Sequence, residues 1–216
     1  RTGGYVTYAY NISAGSAVRW YRDALGGIFR QEVERSATDI YDIFNRVCPD
    51  EPSNLLVLPF LQGMGGTPQV DPGVTGLIAG LTTQTRLSDI YRAILEGITF
   101  EMRYNQNALA ESGVTFERLY ACGGGARSDV WLQIKADILG CEIVRVETAE
   151  TGAMGSAILG FAAVTGESPL KLASHFVRYG KHFAPNLVNQ VIYERQYAQY
   201  CLLRDFYTKS GRHVNR

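Results

Sequence analysis

The stretch LYACGGGARSDVWLQIKADILG, residues 119–140, decides the fold of this chain. Its first four residues, 119–122, form a short apolar run that predicts a buried strand. A helix pattern follows at once, because three large apolar residues recur on one helix face: Trp131, Ile134 and Ile138. Gly140 stands where a left-handed residue commonly ends a helix. The stretch therefore predicts a strand, a tight turn and a helix in immediate succession.

The turn in this stretch consists of three glycines, Gly123, Gly124 and Gly125. Glycine has no side chain, so a ligand can come close to the main chain there. The start of the following helix adds unpaired N–H groups and a partial positive charge. These features favour a site for a nucleotide or another phosphate-bearing ligand. A tight connection that binds nothing has the same pattern, so both interpretations stay open at this point.

Two known phosphate-binding patterns do not fit this turn. The Walker motif needs a Lys followed by Ser or Thr after its glycines, and that pair is absent here. The spacing also differs from the GxGxxG pattern of dinucleotide-binding domains. Glu147, near the end of the next apolar run, could still serve such a domain as a ribose ligand.

A second glycine turn precedes a helix near the start of the chain. Residues 5–12, YVTYAYNI, are rich in Tyr, Val and Ile and predict a strand. Residues 13–16 then turn into a helix that carries Val18, Tyr21 and Leu25, in which Trp20 is expected to be a core residue.

The remaining segments predict further strands and helices. A long helix is predicted over 87–111, where Gly97 implies close packing against a neighbour, since Gly lowers helix stability by about 1 kcal/mol relative to Ala. Residues 142–146 predict a strand. The small residues of a helix over 151–164 would allow close approach to a neighbour. Residues 169–186 are predicted to be a linker, and 187–208 an amphipathic helix with a tyrosine-rich face.

Composition excludes several classes of function. The chain of 216 residues has 21 basic and 21 acidic side chains, so its charge gives no support for binding nucleic acid or an anionic membrane. No apolar run approaches the roughly 20 residues that span a bilayer. The four cysteines have no metal-binding spacing, which favours free thiols and a cytoplasmic location.

Three segments in a fixed order resemble the carboxy-terminal domain of the FGGY carbohydrate kinases, the xylulose and glycerol kinase family. They are NISAGSAVRWYRD, then VLPFLQGMGGTPQVDPGVTGLIAGLT with LSDIYRAILEGITFEM, then ACGGGARSDVWLQIKADILGCEIVRVETAETGAMGSAILG. The resemblance covers about residues 5–166. It implies an α/β fold of the actin-like ATPase and ribonuclease H-like type, with a mixed sheet flanked by helices.

The resemblance also implies a function and a set of ligands. The full-length protein would transfer the γ-phosphoryl group of ATP to a sugar or polyol hydroxyl, with Mg²⁺ as cofactor. In this family the carboxy-terminal domain holds the nucleotide. The positions that match its nucleotide site are Gly15, Arg19, Gly124, Gly125, Ala126 and Asp129.

The resemblance places the catalytic and metal groups in an amino-terminal domain outside this sequence. It therefore implies no catalytic residue and no metal ligand here. The three histidines, His175, His182 and His213, lie in the predicted linker and tail and are therefore expected to be exposed. Residues 1–168 would form the nucleotide-binding domain. Residues 169–216 would be a linker and a helix that packs on the amino-terminal domain. If that domain is absent, an uncovered tyrosine face would favour a homodimer.

One loop departs from the family pattern. Many relatives have a run similar to GERTPHWDP, whereas this chain has GMGGTPQVDPG, which keeps Asp71 and Pro72 and loses the Glu-Arg and His-Trp pairs. Asp71 is expected to form a turn. The departure leaves the sugar undetermined, and it is compatible with a non-catalytic sensing or assembly module. A dinucleotide-binding domain that uses Glu147 is the third alternative.

Overall fold

The computed structural model describes residues 6–66, 69–148 and 150–209. In chain order the helices are α1 (Ala14–Ala24), α2 (Arg30–Ser36), α3 (Ile40–Val47), α4 (Leu87–Glu111), α5 (Asp129–Leu139), α6 (Thr151–Thr165), α7 (Pro169–Phe176) and α8 (Leu187–Lys209). The strands are β1 (Leu56–Leu58), β2 (Leu77–Ala79), β3 (Arg118–Ala121), β4 (Glu142–Val146) and β5 (Tyr179–Phe183). The chain is therefore an α/β structure.

The strands form two small sheets. β1 and β2 pair antiparallel. In the other sheet, of order β3-β4-β5, β3 runs parallel to β4 and β5 runs antiparallel to it. This second sheet is mixed, as the resemblance implied, and α5 packs against it through Leu132 and Ala136.

Helix α4 has the bounds that the sequence predicted, and it lies at the centre of the molecule. The Asp89 carboxylate accepts a hydrogen bond from the Arg86 N–H at 2.8 Å and so caps its first turn. A Cβ atom at Gly97 would lie 2.3 Å from the carbonyl oxygen of Val57 in β1. Gly97 is therefore required for the close packing of α4 on β1, which confirms the prediction.

Helix α8 packs against α4 through its tyrosine face. Tyr193 and Tyr200 are completely buried in the main core, and Tyr197 packs against it. The resemblance implied that this face would be uncovered without an amino-terminal domain, but α4 covers Tyr193 and Tyr200 within the described residues. These two tyrosines are therefore not exposed for self-association.

The prediction of a linker over residues 169–186 is also wrong. This segment contains α7 and β5, and Phe183 of β5 pairs with Ile143 of β4. Strand β5 has few apolar residues, since only its end is buried. Its composition therefore did not predict a strand, and β5 forms because it pairs with β4.

Three further expectations differ from the structure. Residues 6–10 form no strand, and Asn11 makes a single bridge to Gly66, because a β-prone sequence still needs a partner strand. Strand β3 is half-exposed, with Tyr120 53% exposed, since α5 covers one face of the sheet. Trp20 is also exposed.

Three glycines of α6 have no close neighbour among the described residues. A Cβ atom at Gly152, Gly155 or Gly160 would meet no atom of this part of the chain within 4 Å. Helix α6 instead packs with α7 through a separate small cluster, formed by Ile158, Ala162 and Leu172. No described helix is long and apolar enough to cross a membrane.

Candidate functional site

The two glycine turns singled out by the sequence meet at one cavity of about 440 Å³. Gly15 of α1, Gly124 and Gly125 are among its lining residues. Helix α3 also contributes to the lining, as do Tyr91 of α4 and Trp131 of α5. Segments far apart in the sequence thus converge on one concave site, which is the usual form of a small-molecule site.

The turn after β3 is shaped by its backbone and by the cap of α5. Gly123 has φ +77°, a left-handed conformation that favours glycine. The chain then makes a short 3-10 turn over Gly124–Arg127. Ser128 ends this turn as the N-cap of α5, and its Oγ accepts a hydrogen bond from the Trp131 N–H at 3.1 Å.

The glycines of the cavity differ in what surrounds them. A Cβ atom at Gly15 or Gly124 would meet no described atom within 4 Å, so both present bare main chain to open space in this part of the chain. A Cβ atom at Gly125 would lie 2.8 Å from the Trp131 ring, so Gly125 is needed for the indole to pack under the turn. Gly15 and Gly124 therefore leave room in the lining for a ligand.

The indole of Trp131 is fixed from two directions. Its Nε1–H donates a hydrogen bond to Thr99 Oγ1 at 3.2 Å, and the Lys135 ammonium lies 4.1 Å from the ring centroid. Burial lowers the pKa of Lys135 to about 8. Trp131 thus gives the cavity a rigid aromatic wall.

The wall contributed by α3 was not predicted from the sequence. Asp39 caps α3, since its Oδ1 accepts a hydrogen bond from the Tyr41 N–H at 2.8 Å, and the exposed Asp42 lies in the first turn. Asn45 lines the cavity one turn further along. The capping residue Asp39 before an apolar stripe was a visible helix signal, but nothing in the sequence placed α3 beside the glycine turns.

Three residues implied by the resemblance lie outside the cavity lining. Arg19 is exposed and lies one turn beyond Gly15 on α1. Ala126 is 4% exposed and packs in the core between α5 and the sheet. Asp129 is held on the sheet side of α5. Gly15, Gly124 and Gly125 are thus brought together, whereas Ala126 and Asp129 are not.

Asp129 is occupied by two cations of the neighbouring strands. Its carboxylate accepts hydrogen bonds from Arg145 of β4 and, at 2.7 Å, from Lys181 Nζ of β5. The contact with Lys181 and then that with Arg145 lower the pKa of Asp129 below its usual range. Arg145 also donates to the Ala126 carbonyl oxygen at 2.8 Å. Ala126 and Asp129 therefore hold the glycine turn on the sheet.

Other candidate groups do not join the site. Glu147 is exposed beside Gly180 of β5 and does not line the cavity, so the structure gives no support to a dinucleotide site there. His175 and His182 are exposed as expected, and His213 lies outside the described residues. The cysteines are free thiols. Within 6–66, 69–148 and 150–209, no group of three metal-ligating side chains could hold a metal ion, so no Mg²⁺ site is assigned to this part of the chain.

Comparison with known proteins defines the class of this chain. Residues 2–164 match the model of the FGGY family of carbohydrate kinases, C-terminal domain. The chain therefore belongs to this family. The actin-like ATPase fold implied by the resemblance is confirmed by its structural neighbours.

Particular relatives are glycerol and xylulose kinases. The chain is 34% identical to a glycerol kinase of Shewanella baltica over 189 residues, which is 85% of this chain and 36% of that kinase. It is 35% identical to glycerol kinase 2 of Saccharolobus solfataricus over 89% of this chain and 37% of that one. A ligand-bound xylulose kinase from Lactobacillus acidophilus superposes with a TM-score of 0.74 and 23% identity, over 94% of this chain and 41% of that one. The chain thus spans about 36–41% of the length of these kinases.

Proposed function

We propose that this chain is the nucleotide-binding part of an ATP-dependent carbohydrate kinase whose phosphoryl acceptor is a polyol such as glycerol or a ketose such as xylulose. The meeting of Gly15 and Gly124 at one cavity carries the proposal, since bare main chain in the lining leaves room for a planar base. Membership of the kinase family and the names of the relatives support the reaction class.

The residues of the chain fit the adenosine part of ATP. Trp131 and Val18 supply apolar walls, which would exclude water from the base. Arg127 is exposed at the cavity and would be the cation that meets the phosphates. ATP, when bound, supplies the phosphoryl group that is transferred. The chain itself would bind and orient the nucleotide and would leave proton transfer from the sugar to residues outside this sequence.

We therefore expect the chain alone to bind ATP and ADP weakly and to phosphorylate no sugar. Phosphoryl transfer depends on positioning and charge stabilisation, and this cavity supplies positioning for one of the two substrates. A coupled assay with glycerol and xylulose measures turnover. Sustained turnover by the 216 residues would contradict the proposed division of labour.

A large side chain at Gly15 tests the proposal directly. The Gly15→Leu side chain would project into open cavity without meeting the protein, so it should weaken ADP binding more than tenfold, as measured by calorimetry, while the fold persists. Gly152→Leu is the matched control, because Gly152 is also the second residue of a helix with open space around it and lies outside the cavity. Wild-type ADP affinity in Gly15→Leu would refute the proposed site.

A further inference from the structure

The side-chain amide of Asn45 is held in one orientation by two hydroxyl groups. Its Oδ1 accepts a hydrogen bond from Ser128 Oγ at 2.8 Å and another from Tyr91 Oη at 3.1 Å. Ser128 Oγ already accepts from the Trp131 N–H, so its own proton is available to Asn45. The two contacts come from α4 and from the N-cap of α5, and in both of them the amide oxygen accepts from a hydroxyl group.

The amide nitrogen of Asn45 is left as an unused donor in the cavity. Both acceptor positions of Oδ1 are taken, and among the described residues no group accepts a hydrogen bond from Nδ2. The nitrogen is also absent from the buried unpaired polar atoms of the described residues, so it reaches solvent. Asn45 is a lining residue of the cavity, and its solvent-accessible Nδ2 is the donor that it could offer to a ligand there.

Because Asn45 offers only an N–H donor, it can pair only with a hydrogen-bond acceptor of the ligand. Asn often reads adenine with both ends of its amide, through the amino group and a ring nitrogen. Here the oxygen end is occupied, so only a ring nitrogen of the base can pair with Asn45. Because the orientation is set before the ligand arrives, little conformational entropy is lost on binding.

We propose that Asn45 is a specificity-determining residue that donates a hydrogen bond from Nδ2 to a ring nitrogen of the adenine base. The inference rests on the proposed function, because it requires the base to lie in this cavity. Arg127 is the other cationic or amide donor of the lining, but it is exposed, whereas Asn45 is held at two points. Asn45 therefore sets the position of the base, and Arg127 remains free for the phosphates.

The experiment compares ADP with its 1-deaza, 3-deaza and 7-deaza analogues, each of which lacks one ring nitrogen. Calorimetry on the whole 216-residue chain should show that one analogue binds roughly threefold to tenfold more weakly than ADP. Asn45→Asp keeps an oxygen for Ser128 and Tyr91 and replaces the donor with an acceptor. The affinity of this variant for ADP should be no higher than the affinity of the wild type for the weakly bound analogue. The variant should also bind ADP and that analogue equally well.

A charge change outside the cavity serves as the control. Asn54→Asp makes the same charge change at an exposed residue outside this cavity, so it should keep the wild-type preference among the analogues. Equal binding of ADP and all three analogues by the wild type would overturn the role of Asn45, as would an unchanged preference in a folded Asn45→Asp. In both cases the proposed function stands. Failure of the wild type to bind ADP at millimolar concentration would overturn both proposals.

Discussion

At the scale of single residues, glycines of this chain act in two opposite ways. Gly97 and Gly125 are needed because another group occupies the place of a side chain, the Val57 carbonyl in one case and the Trp131 ring in the other. Gly15 and Gly124 face open cavity, so the protein itself does not forbid a side chain there. The first pair stabilises the fold, and the second pair leaves room for a ligand.

The contrast gives a prediction for stability. Gly97→Ala should lower the free energy of unfolding by about 2 kcal/mol, because the new Cβ would push the backbone of β1 away from α4. This loss exceeds the gain of about 1 kcal/mol that Ala brings to a helix interior. Urea unfolding followed by circular dichroism measures the change.

The control for Gly97 lies in α6. Gly155→Ala adds the same methyl group to a helix where nothing lies within 4 Å, so it should keep or raise the unfolding free energy. A Gly97→Ala protein as stable as the wild type would show that α4 and β1 can move apart without lowering the free energy of unfolding.

Some residue roles could be predicted from the sequence, and others could not. Gly97 stood out because Gly is unfavourable inside a helix, and Asp71 forms the expected turn, accepting a hydrogen bond from the Gly73 N–H at 2.9 Å. Asn45 gave no local signal, since its partners are 46 and 83 residues away. The resemblance brought Gly15 and Gly124 to one site, but it could not show that Asp129 is engaged by Arg145.

At the scale of elements, α8 is attached to α4 by two buried polar networks. Arg92 pairs with Glu96 at 2.8 Å, and Tyr193 of α8 donates a hydrogen bond to the same carboxylate at 2.7 Å. Further along, Arg204 of α8 pairs with Glu101 of α4 at 2.7 Å. Because these groups are buried, water cannot replace a lost hydrogen-bond partner. A shift of α8 along α4 would break the pairs, so the networks fix the register of the two helices.

Removing one partner of such a pair should be strongly destabilising. Arg204→Ala leaves the Glu101 carboxylate, 7% exposed, with the Tyr200 hydroxyl as its remaining partner and should lower the unfolding free energy by about 3 kcal/mol or more. Lys209→Ala removes an exposed ion pair with Asp205 from the same helix and should change stability by less than about 0.5 kcal/mol. Urea unfolding measures both variants. A similar decrease in the free energy of unfolding for the two would show that the burial of an ion pair does not determine its contribution to stability.

The prediction of elements succeeded where the pattern is local and failed where pairing is distant. Periodicity gave the bounds of α4 and β4, because apolar spacing is a property of the segment itself. Residues 169–186 looked like a linker, since β5 is ordered by pairing with β4. Residues 6–10 looked like a strand and lack such a partner, so β propensity alone did not suffice.

At the scale of the whole molecule, burial is distributed unevenly. Helices α1, α3, α4, α5 and α8 share one large core with β1. Helices α6 and α7 pack mainly on each other, and their buried cluster contains three residues, Ile158, Ala162 and Leu172. Large apolar side chains of α6 remain outside it, including Leu159 at 62% and Val164 at 87% exposure. Local opening of such a weakly packed pair requires less free energy than unfolding of the main core.

We therefore expect the amides of α6 and α7 to exchange with deuterium at least about a hundredfold faster than those of α4 and α5. Gly97→Ala should accelerate exchange in α4 and leave α6 unchanged, because α6 opens without disturbing the contact of α4 with β1. Hydrogen exchange followed by mass spectrometry resolves these segments. Equal protection of α6 and α4, or a parallel response of both to Gly97→Ala, would mean that the chain unfolds as one cooperative unit despite its divided core.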